Sequence, residues 1–234
     1  MLFRYFGQQA AWERKGFRVN MPIKVLESTL VSLTISVYDW AHYTTSKGAV
    51  KMHTLLDYDC LLPEFMNITG GKRTDNKAAF DIEIKPHSIV VADRGYCDYG
   101  LLNHWDSNNV FYVGRHKDNI RYRTIEELPL PKQHTQNVLM DESIEFGLPA
   151  AKEKFPKRLK RIAVWNDEHG FVIELLTNNF TLAASTIAKL YKARWNIEIF
   201  FHNLKQLLRS KSFIGISRNA VETQIWTAMI TMLL

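Results

Sequence analysis

Residues 191–205 read YKARWNIEIFFHNLK, and this stretch decides how the rest of the chain is interpreted. Neither Gly nor Pro occurs between Thr181 and Arg209, and good helix formers dominate. The pattern therefore predicts one long helix with Thr181 as a candidate N-cap. At about 100° per residue, five apolar side chains share one stripe of this helix, which predicts a face packed against a core. They are Leu190, Ile197, Phe201, Leu204 and Leu208.

A strip of polar side chains runs beside the apolar stripe, within an arc roughly 80° wide. It contains Tyr191, Arg194, Glu198, His202 and Lys205. In one interpretation, Arg194 and Glu198 form an ordinary i,i+4 ion pair and Lys205 is a solvated neighbour. In the other, one acid and two cations form a face for chemistry. Spacing alone does not decide between them.

The composition indicates a folded globular protein. Of 234 residues, 46% are hydrophobic and 23% are charged, and this length favours one large domain or one domain with an insertion. The net charge of +6 permits a polyanionic partner without requiring one. Basic residues cluster within 152–161, where they either follow a phosphate backbone or are simply solvated.

Several classes of protein are disfavoured by the sequence. Cys60 and Cys97 have neither CxxC spacing nor His partners at metal-ligand intervals, which argues against a zinc site. Two isolated cysteines suit a reducing cytosol. No run of 18 apolar residues occurs, and the N-terminal residues lack a signal-peptide layout, so we expect neither secretion nor a membrane span.

Residues 21–109 are dominated by strand-like segments. Apolar and β-branched residues predict a meander and then a strand buried on both faces, with a short helix between them. The predicted strands are 23–29, 30–37, 49–56 and 88–92, and the helix is 75–80. Asp93 follows the last strand, at the kind of edge where α/β sheets gather chemistry. Alternatively, Asp93 and Gly95 form a turn that caps a helix at 96–103. Glu27 lies between apolar neighbours, and such an acid needs a partner because unpaired burial costs several kcal/mol.

The pattern changes between residues 110 and 178 to short strands, polar turns and several prolines. It predicts a loop-rich β section and not a second helical domain. The predicted strands are 110–114, 137–140 and 144–146, with a hairpin at 161–165 and 170–175. After the long helix, we expect a loop at 211–219 and an apolar-rich helix from Ala220 to Leu234.

Three acids carry the chemical hypothesis, namely Glu27, Asp93 and Glu198. Separated by 66 and 105 residues, they can meet only through the fold. Converging carboxylates repel each other unless a divalent cation neutralises them, and hard oxygen ligands select Mg²⁺ or Mn²⁺. Two such ions about 3.5–4 Å apart support in-line displacement at a phosphodiester. Phosphates would then be held by the neighbouring residues Tyr191, Arg194 and Lys205.

The spacing Tyr-x2-Arg-x3-Glu-x6-Lys within 191–205 resembles the signature around the last acid of DDE transposases from bacterial insertion sequences. Similar stretches occur at 27–29, 40–41, 47–57, 69–72, 93–96, 176–179 and 215–226. The resemblance implies an RNase H-like core, a mixed five-stranded sheet with helices, in which a β-rich insertion separates the second and third acids. The implied segments are 1–20 (role unassigned), 21–109 (first part of the catalytic core), 110–178 (insertion) and 179–234 (C-terminal core helices).

The same resemblance implies a function. Such a transposase cleaves DNA at transposon ends and transfers the strands into target DNA, using two Mg²⁺ or Mn²⁺ ions when DNA is bound. The implied catalytic metal ligands are Glu27, Asp93 and Glu198, and the implied DNA-binding residues are Tyr191, Arg194 and Lys205. The implied partners are double-stranded DNA of the transposon ends and target, bound by a homodimer, without a membrane. The expected location is the bacterial cytoplasm, with the nucleoid when on DNA.

Glu27 departs from the family, which usually has Asp in an Asp-Ser-Thr run. One extra methylene displaces the metal-binding oxygens by about 1.5 Å, in a site that tolerates roughly 0.5 Å. Three alternatives therefore stay open. Asp39 replaces Glu27 as first ligand; the chain is a catalytically inactive DNA-binding remnant of a shortened transposase; or it is a general nuclease on the same fold.

Overall fold

The computed structural model describes residues 19–33, 39–41, 44, 48–117, 120–130, 137–167, 170–192, 194–208 and 213–233. The strands are β1 Ile23–Leu33, β2 Gly48–Asp57, β3 Pro63–Gly70, β4 Ile89–Ala92, β5 Phe111–Arg115, β6 Tyr122–Glu127, β7 Val138–Phe146, β8 Leu159–Asn166 and β9 Phe171–Thr177. The helices are α1 Asp75–Ala79, α2 Tyr99–Ser107, α3 Pro149–Lys154, α4 Ala184–Lys192, α5 Trp195–Leu208 and α6 Arg218–Leu233. Short 3-10 turns lie at Asp39–Ala41 and Arg94–Tyr96.

The described strands form one continuous sheet in the order β3-β2-β1-β4-β5-β9-β8-β7-β6. β4 is parallel to both of its neighbours, β1 and β5, and the other neighbouring pairs are antiparallel. The mixed α/β class is therefore confirmed. The expectation was a five-stranded core sheet with a β-rich insertion, whereas the described strands form one nine-stranded sheet. β9 pairs with β5, so β9, β8, β7 and β6 extend the same sheet.

Two helices flank the position of Arg194, where one helix was predicted. α4 ends at Lys192 and α5 begins at Trp195. Backbone bonds from Arg194 N to Tyr191 O and from Ile197 N to Arg194 O span only three residues, which tightens the chain between the two helices. Thr181 is not the N-cap, because α4 begins only at Ala184. Asn179 organises the preceding turn instead, where its side chain accepts from the backbone N–H groups of Thr181 and Leu182.

Other elements also differ from the predictions. The expected strands 23–29 and 30–37 are one strand through residue 33, and residues 34–37 lie outside the described part. Three elements escaped prediction: β3, β6 and α3. β6 has no buried residue and is rich in charge, as an edge strand can be, so it lacks the apolar alternation that marks a strand. α3 adds a short helix to a section predicted to be β strands and loops.

Helices cover both faces of the sheet. The predicted apolar stripe of residues 190–208 is buried, with every member at most 5% exposed. Its members on α5 pack with α6 against one face of β1 and β2, through residues such as Val25 and Met52. Leu26, the neighbour of Val25, points to the other face, where α1 and α2 pack. Each fully buried Leu, Ile or Phe of the stripe contributes about 1.5–3 kcal/mol to folding.

Candidate active site

Glu27, Asp93 and Glu198 line one open cavity of about 430 Å³. Glu27 lies in the middle of β1, and Asp93 directly follows β4. The two strands are parallel with Leu26 opposite Ala92, which places these acids on neighbouring strands at the same level. Glu198 reaches the cavity from the first turn of α5. The remaining lining residues are Ser28, Thr29, Arg194, Phe201, His202 and Lys205.

Arg194 connects two of these acids. Its Nη1 donates to Glu27 Oε2 at 2.7 Å, and its Nη2 lies 2.8 Å from Glu198 Oε1. The side chains of Arg194 and Glu27 are each only 15% exposed, whereas Glu198 is 40% exposed. The i,i+4 ion pair therefore exists, and it is one half of a bridge that also holds Glu27 on β1.

Burial and charge set the protonation behaviour of this bridge. Burial raises the pKa of Glu27, and the negative charge of Asp93 raises it further, against the lowering effects of the Ser28 N–H and Arg194. Burial alone would lower the pKa of Arg194, but Tyr191 and the three acids raise it well above its usual range. The guanidinium therefore stays charged and is the cation that holds this acidic group together.

Tyr191, Lys205 and His202 surround the bridge. The Tyr191 ring lies behind Arg194, with 5.9 Å between the guanidinium carbon and the ring centroid, and burial raises the pKa of its phenol. Lys205 lines the cavity, and burial lowers its pKa. His202 also lines the cavity and contacts the Gln206 side chain at 2.9 Å. His202 was expected to be structural or solvent-facing, although its place between Glu198 and Lys205 on the polar strip indicated that it could reach the same cavity.

Residues 20–234 match the family model described as the transposase DDE domain. The chain belongs to this transposase family. It is 28% identical over 94% of its length to a Geobacillus stearothermophilus protein named as a transposase of insertion sequence element IS5377. It is 30% identical over 89% of its length to a Sinorhizobium fredii protein named as transposase y4zB. It spans 58% of the length of each of these two relatives.

A solved structure supports the fold of this DDE transposase chain. A piggyBac transposase, in a synaptic complex with hairpin DNA, superposes with a TM-score of 0.51 at 12% identity. The match covers 90% of this chain and 46% of the piggyBac chain. At this identity the likeness concerns the fold alone. Among the described residues, no helix is long and apolar enough to cross a membrane.

Two alternative interpretations of the acids of this DDE transposase were a helix cap at Asp93 and Asp39 as the first metal ligand. Asp93 does not cap a helix with its side chain, so the capping interpretation is wrong. Asp98 caps α2 instead, accepting from the Leu101 N–H at 3.1 Å, and this helix begins at Tyr99. Asp39 lies on a 3-10 turn, and its side chain falls outside the described part of the chain.

The donor set of the cavity suits the divalent cation that the DDE family implies. Glu27, Asp93 and Glu198 offer carboxylate oxygens, which Mg²⁺ and Mn²⁺ prefer. In the described arrangement, however, no three His, Cys, Asp or Glu side chains form a ligand set. Arg194 is bonded to two of the three acids. The residues therefore fit a divalent cation by donor chemistry, while Arg194 is paired with Glu27 and Glu198 in the described arrangement.

The basic cluster of residues 152–161 in this transposase is paired with acids of the chain itself. Lys160 lies 3.2 Å from Asp141, and Arg161 lies 2.5 Å from Glu142, with all four side chains buried. Three exposed members of the cluster also have partners: Lys152 and Arg158 at Glu145, and Lys157 at Asp106. Lys160 and Arg161 therefore do not follow a phosphate backbone, and their role is structural.

Proposed function

We propose that this chain is the catalytic part of a DDE transposase, which cleaves DNA at transposon ends and transfers the freed strands into target DNA. The observation that carries the proposal is the convergence of Glu27, Asp93 and Glu198 on one cavity that Arg194 and Lys205 also line. Membership of the transposase DDE family supports it. A general nuclease would share this cavity, but the family match favours transposition.

The proposed architecture assigns the cavity to an RNase H-like core. Strands β1 to β5, consecutive in the sheet as β3-β2-β1-β4-β5, would form the core sheet within residues 21–115. Residues 21–109 and 179–234 would make up the core together with β5, the first strand of the section 110–178. The rest of that section would be an insertion anchored on β5. The piggyBac likeness supports the fold of this assignment.

The proposed chemistry is in-line displacement at a phosphodiester. An attacking oxygen bonds to phosphorus as the bond to the leaving oxygen breaks. Two bound Mg²⁺ or Mn²⁺ ions supply activation of the attacking water or 3′-hydroxyl and stabilisation of the leaving oxygen. Glu27 and Asp93 would offer their carboxylate oxygens as metal ligands from neighbouring strands. Glu198 would offer its own carboxylate oxygens from α5.

The cations of the site would bind DNA phosphates. Once free of the acids, Arg194 presents a planar fork that matches a phosphate, and Lys205 offers a point charge. Tyr191 supports Arg194 through its ring face. The proposed partners are double-stranded DNA of the transposon ends and target, bound by a homodimer in the bacterial cytoplasm. The net charge of +6 and the match to the transposase DDE domain support a DNA partner.

The first test is calorimetric titration with Mn²⁺ of the parent chain, Asp93→Ala and Glu27→Asp. We expect the parent to bind Mn²⁺ and Asp93→Ala to bind far more weakly, since one ligand is gone. If Glu27→Asp alone binds, the chain has kept the fold and is the inactive remnant.

A DNA assay then separates a transposase from a general nuclease. The parent is incubated with Mn²⁺ and either plasmid DNA that carries the ends of its own insertion element or the same plasmid with those ends scrambled. We expect cleavage at the ends only. Equal nicking of both plasmids would select the nuclease, and absence of nicking beside intact Mn²⁺ binding would refute the transposase chemistry.

A further inference from the structure

A polar cluster lies on the face of β1 opposite to Arg194, centred on Asp75. Asp75 Oδ1 accepts from Ser28 Oγ at 2.6 Å and from Lys51 Nζ at 3.2 Å. In the antiparallel pairing of β1 and β2, Ser28 stands opposite His53, and Leu30 stands opposite Lys51. Opposed residues and residues two apart share a face, so Ser28, His53 and Lys51 point to the side where α1 carries Asp75. Ser28 also lines the cavity of the three acids, whereas Asp75, Lys51 and His53 do not.

The cluster reaches the first acid through one residue. The backbone N–H of Ser28 donates to Glu27 Oε1 at 3.1 Å, while the Ser28 hydroxyl donates to Asp75. Consecutive residues of a strand point to opposite faces, so Glu27 faces Arg194 and Ser28 faces Asp75. β1 is thus held from both sides at the point where it presents its carboxylate.

The same aspartate also contacts the turn that follows the second acid. A Cβ placed on Gly95 would lie only 3.1 Å from Asp75 Oδ2, so the glycine lets Asp75 approach the backbone two residues beyond Asp93. The neighbouring Tyr96 is 2% exposed. Burial raises the pKa of its hydroxyl well above its usual value, and the negative charges of Asp75 and Glu27 raise it further.

Two residues of β2 lie at Asp75, and one of them, Lys51, holds it by an ion pair. Lys51 is 14% exposed and supplies the positive charge. His53 Nδ1 lies 3.7 Å from Asp75 Oδ1, and the ring is fully buried. Burial lowers the pKa of His53 to about 4, so the ring is neutral at pH 7, and the positive charge paired with Asp75 is that of Lys51.

We propose that Asp75 is a positioning residue that fixes Glu27 relative to Asp93, acting through Ser28 and the turn at Gly95. The inference rests on the proposed function and extends it, because it names the residue behind the sheet that sets the spacing of the first two acids. Groups that orient metal-binding carboxylates in this way typically change metal affinity by about 10–100-fold when removed.

The test measures Mn²⁺ affinity by calorimetry for the parent, Asp75→Ala and Ser28→Ala. Asp81→Ala is the matched control, because Asp81 lies just beyond α1 and pairs with Arg73 at the surface. We expect affinity to fall about 10–100-fold in Asp75→Ala and Ser28→Ala, and to stay unchanged in the control. Thermal unfolding of each form shows that it is folded. Ser28→Ala removes only a hydroxyl, so it tests the link even if Asp75→Ala fails to fold.

Each outcome decides a separate question. If Asp75 has a purely structural role, its variants will unfold at a lower temperature and bind Mn²⁺ with the affinity of the parent. That result would overturn the inference and leave the proposed function intact. The same titrations are repeated for each form with Glu27→Asp added, to cover the outcome in which only Glu27→Asp binds Mn²⁺. If no form binds Mn²⁺ in either background, the metal site of the proposed function fails and the positioning role falls with it.

Discussion

The guanidinium of Arg194 donates to the carboxylate of Glu27 across 2.7 Å, although 167 residues separate them in sequence. An aspartate at position 27 would be one methylene shorter, by about 1.5 Å, and would lose this contact without a shift of the backbone. Glu27, the residue at which this chain departs from the usual family pattern, therefore has a bonding partner in Arg194. It also predicts that the bridge at Arg194 controls both the stability and the cation affinity of the site.

Replacing the bridge cation tests this relationship. In Arg194→Gln, Glu27 remains mostly buried without its charged partner, so we expect the free energy of unfolding to fall by about 3 kcal/mol. Mn²⁺ should bind more tightly than in the parent, because it no longer competes with the guanidinium. Urea denaturation with and without Mn²⁺ measures both effects.

Arg218→Gln is the control for this prediction, because the Arg218 pair with Glu222 is an exposed i,i+4 bridge. It should change stability by less than about 1 kcal/mol and leave Mn²⁺ binding unaltered. Weaker Mn²⁺ binding in Arg194→Gln would show that Arg194 organises the acids and does not compete with the cation.

The buried ion pairs of the β8 region should be important for stability. Arg161 contacts Glu142 at 2.5 Å and also pairs with Glu174, while its guanidinium carbon lies 4.8 Å from the Tyr122 ring centroid. Arg161→Met leaves the buried Glu142 unpaired, so we expect a loss of about 3–5 kcal/mol in urea denaturation. Arg123→Met, at a side chain 71% exposed, should cost less than about 1 kcal/mol. Similar losses of unfolding free energy in both variants would contradict the conclusion that the buried Arg161 pairs are important for stability.

His53 predicts a pH dependence of stability. Its pKa is lowered from 6.5 to about 4 by burial, so the unfolded chain binds more protons than the folded chain between these values. The stabilisation is complete above pH 6.5 and is lost as pH falls towards 4, by roughly 3 kcal/mol in total.

The measurement is the free energy of unfolding from pH 7 to pH 4 in the parent and in His53→Gln, which keeps a hydrogen-bonding group for Thr69. The variant should show a shallower fall over this window. His104→Gln, at an exposed position on α2, should follow the parent. Parallel curves for the parent and His53→Gln would rule out this residue as the source.

Lys205 should contact DNA without reading its sequence. Lys205→Gln is expected to weaken binding by a similar factor on all DNA sequences, and to reduce the slope of log affinity against log salt concentration by about 1. Fluorescence anisotropy across a salt series measures the slope. Lys189→Gln, at an exposed site on α4, is the matched control and should retain the parent slope.

The strands and hairpins that follow from residues close together in sequence could be predicted from the sequence. The apolar run before Asp93 is a strand buried on both faces, and the hairpin around Gly170 is β8 and β9. The break between α4 and α5 could not be predicted, because neither Gly nor Pro marks it. Instead, Arg194 there meets a carboxylate from a strand near the start of the described chain.

The candidate site, too, could be predicted from the sequence only in part. The motif resemblance named Glu27, Asp93, Glu198 and Lys205, and the fold brings them together, while their chemical roles stay predictions. The link from Asp75 to Ser28 spans 47 residues and depends on how α1 packs behind the sheet. No periodicity or spacing in the sequence carries that information.

β5 has both of its edges paired, one with β4 and the other with β9. β5 is therefore also the attachment point of the remaining β-rich section, strands β6 to β9. Excision of β6 to β9 would bare the backbone N–H and C=O groups along one edge of β5 and invite pairing between molecules. A shortened version of this protein would thus need a new cap along β5, and grafting the section elsewhere would need a host strand with a vacant edge.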